Sequence, residues 1–264
     1  MRAYDFEYDD ISLSSFGYIL CSFDSDGLQT ISNGSTITFN TTPTLNGQKH
    51  ELISTEYGNC LEATFQICKN PCKTNDSVIT IDEVRLLSRW LNRNSFKKFK
   101  ILNDEYLDFY FEASFNISQI ELDGKVYGLE LEMITNRPFA LREPKKVVIK
   151  NLVSNGEKRV VDLSDVEGFI YPKVEITVNE SGDLSIHNAI EDRTTLIRNC
   201  VYGEVITMDY PIIKTSIPNH EIQNDFNWNF FRIANTFGNK SNKLTISLPC
   251  TIELEYSPNI KLGI

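Results

Sequence analysis

Apolar and polar residues alternate at period two along most of the chain, in runs bounded by turn residues, and helical spacing stands out in one place. The pattern predicts a mostly β protein. In the first half it predicts strands at Thr36–Phe39, Leu61–Cys68, Tyr106–Phe115, Ser118–Leu122 and Lys125–Met133. Asp123-Gly124 joins the last two, and because that dipeptide tolerates φ > 0 at both central positions it predicts a two-residue hairpin. The helix is predicted at Asp82–Asn92: Thr80 and Glu83 have the spacing of a capping box, and Val84, Leu87, Trp90 and Leu91 follow on one face. Its other face carries Arg85, Ser88, Arg89, Asn92 and Arg93. Arg85, Arg89 and Arg93 are candidates for an oligomer or partner interface with a carboxylate-rich neighbour, against the plainer reading of a solvated helix face.

Asn136-Arg137-Pro138-Phe139 and Arg142-Glu143-Pro144-Lys145-Lys146 interrupt the pattern with prolines and mixed charge, so the chain is expected to divide near Ala140 into domains 1–140 and 141–264. The second half predicts strands at Lys146–Asn151, Lys173–Val178, Leu184–His187, Val205–Asp209, Ile212–Thr215 and a long final one at Leu244–Tyr256. Glu180-Ser181-Gly182-Asp183 reads as a hairpin turn between the second and third of these. Many short strands without a long helix predict a β-sandwich. Residues 235–242 read as a polar loop, and Thr41–Gly58 as a long irregular stretch, a candidate arm reaching a neighbouring molecule.

Charge narrows the function. The chain has 264 residues and a net charge of -10, the wrong sign for a protein that binds by neutralising phosphates. No stretch approaches the ~20 apolar residues of a membrane-spanning helix. The start, Met1-Arg2-Ala3-Tyr4-Asp5-Phe6-Glu7-Tyr8-Asp9-Asp10, lacks the basic and apolar regions of a signal peptide, so synthesis and retention in a cytoplasm are expected unless a larger assembly carries the protein out. Under that expectation the sequons at Asn33, Asn116 and Asn179 have no role. The six cysteines, Cys21, Cys60, Cys68, Cys72, Cys200 and Cys250, are too sparse for a disulfide framework and are expected to be reduced thiols.

Candidate chemistry is thin. Cys68 and Cys72 form a C-x3-C pair near Cys60, without a second pair or a nearby histidine to complete a zinc site. His50, His187 and His220 sit in unrelated contexts, with no nucleophile elbow or zinc-hydrolase helix beside them, and read as packing or surface residues. No phosphate-binding glycine loop occurs. Leu129-Glu130-Leu131-Glu132 reads as a half-buried strand, although paired carboxylates of a glycosidase are defined by spatial separation rather than spacing along a chain. No catalytic, cofactor-binding or metal-binding residue is therefore assigned, and no enzyme activity is expected. In Asp225-Phe226-Asn227-Trp228-Asn229-Phe230-Phe231 the aromatic alternation fits either a buried strand or a sugar-stacking platform, the latter with Trp228 as the stacking residue.

In their order, these features resemble the distal tail proteins of long-tailed bacteriophages, the hub at the tail tip. Phe6-Glu7-Tyr8 and Ser15-Phe16-Gly17-Tyr18 resemble that family's opening strand and turn. Arg85-Leu86-Leu87-Ser88-Arg89-Trp90-Leu91 resembles its helix with a Trp-Leu end, Phe109-Tyr110-Phe111-Glu112-Ala113 its aromatic strand, and Asn136-Arg137-Pro138-Phe139 its closing proline turn. Tyr171–Ile176, Gly203–Asp209, Asn242–Ile246 and Glu253–Tyr256 resemble strands of its galectin-like second domain. The loop between Gly238 and Asn242 is longer than the family's Gly-Asn pair, and the segment after Asp209 leaves no room for the carbohydrate-binding module of larger relatives.

The resemblance implies a tail-tube-like N-terminal β domain with one helix and a C-terminal galectin-like β-sandwich. It implies a homohexameric ring at the virion tail tip, made in the host bacterial cytoplasm, that joins the tail tube protein to a tip, fibre or lysin protein. DNA would pass through its lumen without specific binding, and an acidic wall would repel the phosphates. In such a ring, strands exposed on one protomer are covered by the next. The rival expectation is a glycan-binding module recognising host cell-wall saccharide through Trp228.

Overall fold

The computed structural model describes residues 5–23, 36–44, 47–58, 60–236 and 238–262. The expectations on Met1-Arg2-Ala3-Tyr4, on the Asn33 sequon, and on Leu45, Asn46 and Phe237 within the predicted arm and polar loop lie outside the described residues. The chain is mostly β and forms two compact units, Met1–Arg142 with Lys261–Ile264, and Glu143–Ile260.

The first unit runs β1 (Phe6–Tyr8), β2 (Ile11–Ser12), a 3-10 turn at Leu13–Phe16, β3 (Tyr18–Cys21), β4 (Ile37–Pro43), β5 (His50–Tyr57), β6 (Glu62–Lys69), α1 (Ile81–Leu91), β7 (Lys97–Ile101), β8 (Phe109–Leu122), β9 (Lys125–Thr135) and β10 (Ala140–Arg142). Its main sheet has the order β2-β1-β7-β8-β9-β6-β3, with β10 paired to the start of β8. The Asp123-Gly124 hairpin is present, with φ of 52° and 71° at the two turn residues and Leu122 opposite Lys125. The separate strands expected at Tyr106–Phe115 and Ser118–Leu122 are instead the single strand β8. Nothing between Phe115 and Ser118 breaks the alternation, whereas residues 103–108 are taken up by turns in which Tyr106 N–H bonds to Asn103 O at 2.8 Å and Phe109 N–H to Tyr106 O at 2.9 Å.

Helix α1 begins where its cap dictates. Thr80 Oγ1 accepts from Glu83 N–H at 3.4 Å while the Glu83 carboxylate accepts from Thr80 N–H at 2.7 Å, satisfying two of the donors that a helix start leaves free. Leu87, Trp90 and Leu91 are buried, and Trp90 stacks on Phe6 with ring centroids 5.8 Å apart. The indole N–H donates to Tyr8 O at 3.0 Å, so the polar end of the buried ring is satisfied as well. Phe99 and Phe115 pack at 5.3 and 6.2 Å from Phe6 and complete an aromatic core between helix and sheet. Truncating a fully packed ring of this kind costs about 3–5 kcal/mol.

Thr41–Gly58 is not irregular. Most of it belongs to the hairpin β4–β5, whose register runs from Ile37 opposite Tyr57 to Pro43 opposite His50, with a bulge between Asn40 and Thr41. Its threonines, serines and asparagine resemble a loop in composition, but threonine favours extended backbone.

The second unit runs β11 (Lys145–Asn151), β12 (Gly156–Val161), β13 (Gly168–Ile170), β14 (Lys173–Val178), β15 (Gly182–Asn188), β16 (Arg193–Cys200), β17 (Val205–Asp209), β18 (Ile212–Thr215), α2 (Ile222–Asp225), β19 (Ile233–Asn235), β20 (Ser241–Ile246) and β21 (Cys250–Tyr256). Two sheets, β11-β21-β14-β17-β18 and β12-β20-β15-β16, share one aliphatic core, and β13 pairs with β19 beside them. This is the expected β-sandwich. Alternation builds it: Val174, Ile176 and Val178 of β14 point inward and lie opposite Leu254, Ile252 and Cys250 of β21.

Three expectations for this unit are corrected. The strand expected at Leu244–Tyr256 is two strands in different sheets, β20 and β21. Residues 244, 246, 250, 252, 254 and 256 are all buried, so alternation continues across the break, and Pro249, which lacks an N–H for a ladder, is the local sign of it. Residues 180–183 do not close a hairpin, because β14 and β15 belong to different sheets and the turn crosses between them. The polar loop is shorter than residues 235–242, since Asn235 ends β19 and Ser241-Asn242 open β20. Asn242 is fully buried and holds that crossing together, accepting from Asn188 Nδ2 and Ala234 N–H, both at 2.8 Å, and donating to Ala234 O at 2.9 Å.

Candidate functional site

An uncovered apolar surface of the first unit is the β4–β5 hairpin, every described residue of whose strands is exposed. Residues directly opposite on antiparallel strands share a face. Ile37 and Tyr57 lie on one face with Phe39, and the other face carries Asn40, whose Nδ2 donates to Ser54 Oγ at 3.0 Å. Phe39 is 61% exposed and Ile53, at the bulge, is 70% exposed. One ring contact ties the hairpin to the sheet, Tyr57 against Phe139 at 4.9 Å. A two-stranded hairpin has little stability of its own in water, and this one stands exposed on both strands.

The arginines expected to form an interface behave differently from one another. Arg85 is exposed and pairs loosely with Asp82 at 3.7 Å, one turn back on the same helix. Arg89 is exposed and has no partner among the described residues. Arg93 lies beyond the helix end, where its Nε donates to Trp90 O at 3.0 Å and its guanidinium sits 3.7 Å from Asp9. Asn92 turns back toward the sheet and donates to Phe115 O at 2.9 Å. Arg85 and Arg89 are thus available to a neighbour, while Arg93 is occupied within the chain.

In the second unit Phe226, Phe230 and Phe231 are buried, as a core segment requires, and Trp228 is not: it is 57% exposed. Its φ is +59°, a left-handed conformation that costs a bulky side chain about 1–2 kcal/mol. Asn227 holds it there. Its Oδ1 accepts from Leu196 N–H and Asn229 N–H, each at 3.1 Å, and its Nδ2 donates to Thr194 O at 2.9 Å. The indole leans on Phe226 and Phe230 at centroid distances of 5.8 and 6.4 Å.

His220 sits in a buried ionic cluster that the sequence does not reveal, because its partners are 16 and 5 residues away on other elements. Its Nδ1 is 2.6 Å from Glu204 Oε1, and its Nε2 is 3.3 Å from Asp225 Oδ2. The Glu204 side chain has no exposure. Burial pushes its carboxyl up, but the Thr215 hydroxyl, the Val201 N–H and the His220 ring all bond to it, and together with the His220 charge they hold it below the usual carboxylate range. The cluster ties the segment after β18 to the start of β17. Among the described residues no three His, Cys, Asp or Glu side chains come together as a metal site would require, and Cys60, Cys68 and Cys72 are free thiols.

Comparison with known proteins gives the family. Residues 1–137 match the phage tail protein N-terminal domain family and residues 139–256 the phage tail C-terminal domain family. The chain belongs to this family of phage tail proteins. Its fold is similar to the crystal structure of the Dit protein of phage SPP1, with a TM-score of 0.62 and 10% identity over 97% of this chain and 99% of that one. That protein is described as a paradigm of the hub adsorption apparatus in phages infecting Gram-positive hosts. No curated protein matches the chain.

Proposed function

We propose that this phage tail protein is the distal hub of a tail, closing into a homohexameric ring that joins the tail tube protein to the tip, fibre or lysin protein. The bare β4–β5 hairpin carries this reading: a copy of the same chain supplies, by rotation about the ring axis, the cover that the isolated unit lacks. Arg85 and Arg89 are the charged contacts assigned to a neighbouring molecule. The resemblance to the SPP1 hub protein supports the architecture on which such a ring depends. The net charge of -10, turned in part toward the channel, lets DNA slide through without adhering. A basic channel wall would refute that last element alone.

The test is the solution mass by light scattering across concentration, with and without the tube protein, followed by imaging of any large species. A six-fold particle is expected. A monomer under both conditions overturns the ring.

A second reading rests on a separate observation, the exposed and strained Trp228. A side chain held outward at a conformational cost suits recognition, and an indole face suits the apolar face of a saccharide. Retention of the chain on host cell-wall polysaccharide, lost on Trp228→Ala, would favour it. Equal retention of both proteins would dismiss it.

A further inference from the structure

Cys21 is the last residue of β3, the edge strand of the first unit's sheet, and Cys68 lies on β6, the one strand of the sheet paired with it. The register sets Cys21 opposite Gln66 and Ile19 opposite Cys68. Cys21, Gln66 and Cys68 therefore share a face, with the two cysteines in diagonal positions on adjacent strands. The neighbouring Cys68 side chain adds to burial in raising the Cys21 thiol. On the other side of Cys68 the opposing residue is Gly128, where an added Cβ would fall 2.3 Å from the Phe23 ring, so that ring lies against the sheet on the same face. Phe23 N–H donates to Gln66 Oε1 at 2.7 Å and keeps the chain after Cys21 against β6. Both thiols are half-buried beneath this cover.

The position of the pair in the chain gives it a use. In sequence the β4–β5 hairpin lies between β3 and β6, the two strands that carry the cysteines. We propose that Cys21 and Cys68 are an oxidative modification site, a dithiol that closes into a disulfide across β3 and β6 once the protein meets an oxidising medium, stapling the base of the hairpin arm. A tail protein is assembled in a reducing cytoplasm and works after release, so the same pair passes through both environments. The reaction is two thiol–disulfide exchanges. One cysteine, as its thiolate, attacks a low-molecular-weight disulfide and releases one thiol. The other then attacks the mixed disulfide, forming the Cys21–Cys68 bond and releasing the second thiol, so two protein thiols are oxidised as one small disulfide is reduced to two thiols. Burial, followed by the contact with Cys68, raises the Cys21 thiol well above its ordinary range. Exchange runs through the thiolate, so closure is expected to be faster as the pH rises.

The purified full-length chain is incubated with oxidised glutathione, unfolded in denaturant and titrated for free thiols, then digested and weighed. The expected result is a fall from six thiols to four. A single intrachain peptide pair linked through Cys21 and Cys68 accompanies it, with a rise in the melting temperature. Cys68→Ser, which keeps the size of the side chain, is expected to retain its thiols and lose the rise, while Cys72→Ser still forms the link. Six thiols remaining in the folded chain, or linkage through any other pair, overturns the proposal. Neither outcome bears on the ring, because the solution mass is measured separately on reduced protein.

Discussion

Two antiparallel strand pairs, β4–β5 in the first unit and β14–β21 in the second, are written in the same period-two language and meet opposite fates. In β14–β21 the inward residues Val174, Ile176, Ile252 and Leu254 are each no more than 1% exposed. In β4–β5 no described residue is better than exposed, and Phe39, Leu52 and Ile53 stand in solvent. Local pattern specifies that a face is apolar. What covers the face is decided by topology: the second sheet of the sandwich lies over β14–β21, whereas among the described residues β4 and β5 pair only with each other. The difference is one of partners within the unit, and it is what the proposed ring would make good.

The sharpest way to break this comparison is to truncate one side chain in each pair. Ile176→Ala removes methyl groups from a closed core, with an expected loss of about 3 kcal/mol in urea unfolding. Leu52→Ala removes as much apolar volume from the hairpin, yet in the isolated chain it is expected to change stability by less than about 0.5 kcal/mol. The proposed ring predicts the reverse order on assembly, with Leu52→Ala lowering the fraction of ring seen by light scattering. A loss of several kcal/mol from Leu52→Ala in the monomer would mean that the hairpin packs on its own unit, and the contrast between the two pairs would disappear.

A smaller effect separates the second unit's polar interior from its apolar one. Glu204 is held below the usual carboxylate range, so its contribution to stability is present above its unfolded-state value and is lost as the pH falls through the lower folded-state value. Glu204→Gln keeps the shape of the side chain and removes the charge. The expected cost at neutral pH is about 2 kcal/mol, the scale of hydrogen bonds to a buried charge, and it shrinks toward pH 3. Unfolding measured in denaturant at a series of pH values checks this, and a gap of constant size would show that the charge is not what the cluster stabilises.

The same contrast explains what was legible in the sequence. Helix α1 was readable because its cap, Thr80 to Glu83, and its buried face, Leu87, Trp90 and Leu91, are local signals within one dozen residues. The Asp123-Gly124 turn was readable for the same reason. The break between β20 and β21 was hidden because alternation keeps its phase through residues 247–249, and a change of sheet alters partners without altering period. The start of β4 was expected as the strand Thr36–Phe39, while its remainder and β5 were masked by polar composition. Glu204, His220 and Asp225 carried no signal at all, since their meeting depends on how β17, β18 and α2 are brought together. Arg93 looked like a continuation of the arginine face, but the helix ends at Leu91 and the side chain turns back to cap it.

Trp228 is a place where the second unit, like the hairpin of the first, exposes a large apolar side chain. Phe226 and Phe230, two residues away on either side, are 3% and 5% exposed. If the indole is displayed for a partner, the isolated protein gains nothing from it and bears the strain of φ +59°. Trp228→Asn then tests the point, because asparagine tolerates the left-handed region far better than a large side chain does. The expected outcome is a stabilisation of up to about 1 kcal/mol in urea unfolding, with the spectrum of the buried Trp90 unchanged. A destabilisation would instead mean that the edge contacts with Phe226 and Phe230 outweigh the backbone strain. Trp228 would then count as part of the sandwich, and the hairpin of the first unit would be the better place to look for the protein's partners.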